Sequence, residues 1–251
     1  MKREIKTIVI LSSTVVVMLA IIGFTGVKSS SRPVNDVLVT IEDQDGDFFT
    51  DQLEVLNLLN DESTDYVLGL AIDDLDLKEL ERRVERNPFI KDAQVYRDIK
   101  GNLMVKVQQV RPIARVFSPS GPDQYISVDG ELLPTTARHT ARVPIIELER
   151  SFSWEQNITE TEYGQELLNT LKYIDGDKFW KAQIAHIVIA RDGELTFLPQ
   201  VTKQEVKFGM PEKLEKKFRK LKVFYKEILP NKGWNTYSMV NLKFENQIVC
   251  E

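Results

Sequence analysis

Few residues in this sequence have the type and spacing that enzyme or metal chemistry requires. The two histidines, His139 and His186, stand alone, and neither has a Cys, His, Asp or Glu partner at a metal-ligand spacing such as HExxH. The single cysteine, Cys250, excludes an intramolecular disulfide, and we interpret it as a small apolar residue that ends a strand. A lipidation or thiol-exchange site is the alternative for Cys250. The sequence therefore predicts no metal site.

Motifs for nucleophilic or phosphoryl-transfer catalysis are also missing from the sequence. It contains no G-x-S-x-G elbow, P-loop, G-x-G-x-x-G or kinase-like set. The acidic pairs at residues 73–74 and 42–43 flank predicted elements, and we interpret them as helix caps and solvated turns rather than acid/base pairs. We therefore expect no catalytic residue, no cofactor and no small-molecule substrate.

The charge distribution narrows the class of partner. A net charge of −5 with a pI near 5.3 argues against nucleic acid as a partner, because nucleic-acid binding requires a basic excess on at least one domain.

The last predicted helix nevertheless carries many cations. We interpret them as a solvated face, with an anionic-lipid or acidic-partner site as the alternative. They are Lys213, Lys216, Lys217, Arg219, Lys220, Lys222 and Lys226.

An uncharged apolar run at residues 8–27 predicts a membrane span. Its twenty residues are long enough to cross a hydrocarbon core of about 30 Å. A cleaved signal peptide, the alternative, has a shorter apolar region and a small-x-small cleavage site. Cations on both sides of the run give a slight preference for a cytoplasmic N-terminus. We expect a cytoplasmic tail at residues 1–7, one transmembrane helix at 8–27, a linker at 28–34 and an exported remainder.

The pattern of residues 35–111 predicts a complete small α+β module. An alternating β-branched run at 37–41 predicts the first strand, and Thr50 or Asp51 and then Asp76 can cap two helices, the second ending at Asn87 before Pro88. Alternation at residues 90–97 and 103–109 predicts two more strands, joined by a turn at residues 100–102. The order is β-α-α-β-β, a sheet backed by two helices.

Residues 112–251 predict a second, β-rich α+β domain. A helix at residues 160–174 follows the first strands, and a longer helix opens at Pro211 and closes at Pro230. Alternation then predicts a last strand at residues 238–244 and a short apolar tail at 248–250. The other strands are predicted at residues 113–117, 125–128, 143–148, 184–190, 194–198 and 205–209.

Taken together, these features resemble the FtsQ/DivIB family of bacterial cell-division proteins. The resemblance covers a short tail, a single span, a POTRA module and a β-rich domain. Its local matches are Asn87-Pro88-Phe89-Ile90, the strand of Leu103, Val105 and Val107 leading into Arg111-Pro112-Ile113-Ala114, Tyr125-Ile126 before Asp129-Gly130, and Val240-Asn241-Leu242-Lys243-Phe244. None of these is a catalytic motif, so the resemblance depends on the ordered set.

The resemblance implies a non-enzymatic scaffold of the division machinery in the cytoplasmic membrane, with partners similar to FtsB and FtsL. It places their binding at the last strand, by addition of a partner strand to the sheet edge. Asn241, Lys243 and Phe244 stand where the family pattern has Asp, Arg and Tyr. The predicted partner-binding residues are Tyr237, Val240, Asn241, Leu242, Lys243, Phe244 and Ile248.

Two other functions fit parts of the pattern. POTRA modules also occur in outer-membrane assembly factors, although tandem modules or a barrel domain would be expected there. A membrane-anchored envelope hydrolase would need the nucleophile or metal set that the sequence does not show.

Overall fold

The computed structural model describes residues 13–21, 33–42, 49–60, 67–119, 121–149 and 157–251. The predicted cytoplasmic tail and most of the predicted span and linker lie outside these ranges. Residues 13–21 are helical. Among the described residues, no helix combines the length and apolar character needed to cross a membrane.

The chain forms two compact units. The first comprises residues 1–43 and 50–109, and the second comprises residues 44–49 and 110–251.

The first unit contains a sheet that has three strands within its described residues. The order along the chain is β1 (Val37–Glu42), α1 (Gln52–Leu59), α2 (Leu77–Glu85), β2 (Ile90–Arg97) and β3 (Leu103–Gln109), with a 3₁₀ turn at Ile72–Asp74 before α2. In the sheet the order is β1-β3-β2, where β1 runs parallel and β2 antiparallel to β3. The β-α-α-β-β order predicted from the sequence is confirmed.

Local chemistry explains these boundaries. The carboxylates of Asp51 and Asp76 accept hydrogen bonds from the backbone N–H groups of Glu54 and Glu79, which caps α1 and α2 as predicted. Gly101, at φ +89°, supplies the left-handed turn between β2 and β3. The apolar sides of both helices and the sheet then form one core, which includes Val55, Leu59, Leu80, Val84, Ala93, Val95, Leu103, Val105 and Val107.

The second unit is built on one large mixed sheet. Within the described residues it has nine strands in the order β12-β11-β10-β9-β8-β7-β4-β5-β6. The strands are β4 (Pro112–Phe117), β5 (Gln124–Ser127), β6 (Leu132–Pro134), β7 (Ile145–Leu148), β8 (Ile184–Ile189), β9 (Leu195–Pro199), β10 (Glu205–Gly209), β11 (Met239–Asn241) and β12 (Val249–Cys250). The mixed α+β class predicted from the sequence is confirmed.

Helices of the second unit cover this sheet with apolar side chains. They are α3 (Glu162–Gly176), α4 (Lys178–Gln183), α5 (Leu214–Val223), a π-helical segment (Phe224–Ile228) and α6 (Leu229–Lys232). Aromatic rings dominate the contact: Phe218 of α5 lies 5.1 Å from Phe208 of β10 and 5.2 Å from Trp180 of α4, between ring centroids. These rings and the buried aliphatic residues form one core.

Two boundaries of the predicted long helix were wrong. The helix begins at Leu214 rather than Pro211, because Lys213 adopts a left-handed conformation with φ +52° and interrupts the backbone. Pro230 does not close it either. The helix changes to π geometry at Phe224–Ile228 and continues through Pro230 to Lys232 in α6. The proline has no N–H to donate, and the wider π turn lies directly before it.

Candidate functional site

The candidate site is the edge of the large sheet formed by the last strands. The sequence predicted one strand over residues 238–244, but β11 ends at Asn241. β11 is paired on both sides: it runs parallel to β10, with Val206 opposite Val240, and antiparallel to β12, with Val240 opposite Cys250. The edge strand of the sheet is therefore β12 rather than β11.

Backbone hydrogen bonds define which side of β12 is open. Glu251 and Met239 exchange two N–H···O bonds, both 3.1 Å long. Bonded and non-bonded pairs alternate along an antiparallel ladder, so Cys250 opposite Val240 is a non-bonded pair. This alternation directs the N–H and C=O of Cys250 to the outer side of β12.

The side chains predicted to bind a partner differ in burial, and Asn241 is half-buried while Lys243 is exposed. Val240 and Leu242 are fully buried and anchor the edge to the core. Tyr237 and Ile248 are half-buried against the same core. In a strand over residues 238–244, Phe244 would share a face with Val240, but it is 46% exposed. The strand has ended before it, so the two-residue alternation no longer applies.

The segment after β11 is held by a lysine of α5. Lys220 donates from Nζ to the carbonyl oxygens of Leu242 at 2.7 Å and Phe244 at 2.5 Å. The neighbouring Lys217 is buried, donates to the Met210 carbonyl at 2.7 Å, and lies 4.8 Å from the centroid of the Phe208 ring. Burial lowers the pKa of both lysines because the charged form loses hydration. These two side chains are thus structural, and not part of a solvated face.

Other lysines near α5 form ion pairs with glutamates. Lys213 Nζ lies 2.6 Å from Glu245 Oε1, and Lys243 Nζ lies 2.9 Å from Glu194 Oε2. The hydrogen bond from Lys213 holds the pKa of Glu245 below its ordinary value. A groove of about 290 Å³ runs between α5 and residues 242–246, and the cations along it are in large part already paired.

The histidines stay separate in the structure. His186 lies in β8 as predicted, with Nε2 3.2 Å from a Glu147 carboxylate oxygen but without hydrogen-bond geometry. His139 lies in a loop, where its ring makes an edge contact with Phe49 at 5.0 Å. In the described ranges, no group of three or more His, Cys, Asp or Glu side chains could hold a metal ion.

Comparison with known proteins matches the second unit to a described family. A family model described as "FtsQ/DivIB, C-terminal related" matches residues 111–251, more than half of the chain. This protein belongs to the FtsQ/DivIB family. A "POTRA-like domain" model matches residues 33–108. A protein named "Cell division protein FtsQ" from Rhodothermus marinus is 29% identical over 185 residues, which cover 72% of this chain and 67% of the relative.

Two features of the FtsQ/DivIB edge were missed by sequence reasoning. The pairing of β12 with β11 joins residues on either side of a turn at 244–246, and two residues are too few to show an alternation. The sequence offered only a weak indication that Lys220 binds the carbonyls beside the turn, namely the lysine-rich face of α5. That face was identified, but its side chains were expected to point into solvent.

Proposed function

We propose that this FtsQ/DivIB-family protein is a non-enzymatic cell-division scaffold that recruits other division proteins. The match to residues 111–251 and the relative named as a cell division protein support this role. The uncharged run at residues 8–27 supports a single membrane anchor in the cytoplasmic membrane, with a cytoplasmic N-terminus and an exported remainder. The expected partners resemble FtsB and FtsL.

The binding mode that fits the geometry is strand addition to the outer side of β12. The observation that carries it is the hydrogen-bond alternation at Cys250, whose N–H and C=O point away from β11. An extended partner segment would pair with these groups and obtain its affinity from the backbone.

Side chains beside β12 would then provide specificity. Phe244 is exposed enough to contact the body of a partner, and Lys243 is 41% exposed despite its ion pair with Glu194. Tyr237, Asn241 and Ile248 contribute partly exposed surface. Val240 and Leu242 act indirectly, because their burial fixes the backbone to which β12 is bound.

A proline at Cys250 tests this mode. Cys250→Pro removes the outward N–H, whereas Cys250→Ser keeps it and is the matched control. Because Pro favours an extended residue before it, Val249 can remain in its strand conformation. Losing one backbone bond and obstructing the edge should weaken binding about tenfold or more.

We would measure pull-down of the FtsB/FtsL pair by the full chain in detergent, with circular dichroism to verify folding. Unchanged binding by a folded Cys250→Pro protein would exclude addition at β12. If Cys250→Ser is equally impaired, the thiol rather than the backbone is responsible. The position of Lys243 makes it a poor site for this test, because its N–H donates to the side chain of Asn241.

A further inference from the structure

The outer edge of β2, in the first unit, has unusual hydrogen-bond partners. β2 is the last strand of the order β1-β3-β2, and its other side pairs with β3. The N–H of Val95 donates to Glu81 Oε1 at 2.9 Å, and the N–H of Ala93 donates to Glu85 Oε1 at 3.2 Å. Both acceptors are carboxylates of α2 and not a neighbouring strand.

The packing of α2 explains how two carboxylates reach successive donors. Leu80 and Val84 are buried in the core and fix the face that the helix presents. Glu81 and Glu85 are four residues apart, about 6.0 Å along the helix axis, and Ala93 and Val95 are two residues apart, about 6.8 Å along the strand. The near-equality of these spacings places one carboxylate oxygen at each outward donor.

We propose that Glu81 and Glu85 close the edge of β2 against strand addition by a second copy of this chain. A free strand edge is a template for pairing with another chain, and natural proteins cover or blunt such edges. Here the carboxylate oxygens occupy the positions that the carbonyls of an added strand would take. This inference concerns the first unit and does not depend on the partner-binding function proposed for β12.

The register of β2 allows it to pair with β2 of a second copy of this chain. The outward groups of Ala93 and Val95 flank Gln94, so two β2 strands can pair antiparallel about Gln94, with Ala93 of one bonded to Val95 of the other. Such a contact is isologous and closes with two-fold symmetry. Gln94 is exposed, and in this pair it would face Gln94 of the second copy at a non-bonded position, where Cα atoms approach to about 4.5 Å.

Cross-linking at that position provides the test. The full chain in detergent would carry Gln94→Cys in a Cys250→Ser background, and the disulfide-linked dimer would be quantified after mild oxidation. The geometry of a non-bonded antiparallel pair permits a disulfide. We expect Glu81→Ala/Glu85→Ala to raise the dimer fraction about tenfold, because both donors lose their acceptors.

Two control variants separate the hydrogen bond from charge. Glu81→Gln/Glu85→Gln removes both charges but keeps an acceptor oxygen, so its dimer fraction should stay at the parent level. Glu79→Ala removes a carboxylate of α2 that pairs with Arg82 and Arg83 and not with β2, and should also leave the fraction unchanged.

A folded double alanine variant with the parent's dimer fraction overturns the proposal. So does a glutamine variant that cross-links as strongly as the alanine variant, because closure would then depend on charge and not on the acceptor. If the double alanine variant does not fold, the single Glu81→Ala and Glu85→Ala variants are judged by the same criterion.

Discussion

Asp175 connects three elements of the second unit through one carboxylate. Its Oδ2 lies 2.5 Å from Arg111 Nη1, just before β4, and its Oδ1 lies 2.9 Å from Lys181 Nζ in α4. The side chain is only 12% exposed. Desolvation raises the pKa of Asp175, but the hydrogen bonds from Lys181 and Arg111 outweigh it, so the net pKa is below the ordinary value.

This lowered pKa predicts a specific pH dependence of stability. The folded-state pKa is below the unfolded value near 3.8, so the contribution of Asp175 is complete above that pH and is lost as the pH falls through the folded pKa. At pH 7, Asp175→Asn should lower the free energy of unfolding by about 1–3 kcal/mol. Urea unfolding of both proteins from pH 7 to pH 2 should show this difference shrinking only below about pH 4. A constant difference would contradict the assignment.

At the scale of single elements, the start of α3 depends on the absence of a side chain. Gly164 donates its N–H to the cap residue Thr161, and a Cβ built on Gly164 would lie 1.7 Å from the carbonyl oxygen of Ile158. At the other end of the helix, a Cβ on Gly176 would meet no atom within 4 Å. The two glycines of α3 therefore form a matched pair.

We expect opposite outcomes from the two alanine substitutions. Gly164→Ala should destabilise the protein by about 3 kcal/mol or more, because the backbone of Ile158 must move. Gly176→Ala should be neutral or stabilise by up to about 1 kcal/mol, because alanine has less conformational freedom to lose on folding. Thermal unfolding followed by circular dichroism distinguishes them. Similar melting temperatures for both variants would show that α3 does not begin as described.

Elements governed by local chemistry were predictable from the sequence, and elements governed by distant contacts were not. Asp51 and Asp76 identified two helix starts because a cap bonds to an N–H only three residues away. The end of β11 at Asn241 was missed because residues 242–244 still alternate in sequence, although Lys220 of α5 binds the carbonyls of Leu242 and Phe244. The sequence also placed the predicted partner strand at residues 238–244, whereas in the structure β11 is paired on both sides and β12 lies at the edge.

The topology of the whole molecule remains a prediction with a direct test. If residues 8–27 anchor the chain once, protease added to the outer face of the cytoplasmic membrane should degrade everything beyond the linker and leave only a short N-terminal fragment. The control is the same preparation incubated without protease. Recovery of a mature soluble form that begins near Lys28 would favour the signal-peptide alternative.

The parallel pairs of the large sheet also determine how fast the second unit can fold. β4 pairs parallel to β7 and β7 to β8, and in each case the partners are roughly 30 to 40 residues apart in the chain. Loop closure over such distances costs conformational entropy before these parallel pairs form, which favours the millisecond-to-second folding typical of sheets with high contact order. If the chain is exported as proposed, β4 can pair early with β5 and β7, but the other side of β7 stays unpaired until β8 has emerged. Slow translocation would therefore prolong the exposure of this edge, and with it the risk of aggregation or proteolysis, before β10, β11 and β12 complete the sheet.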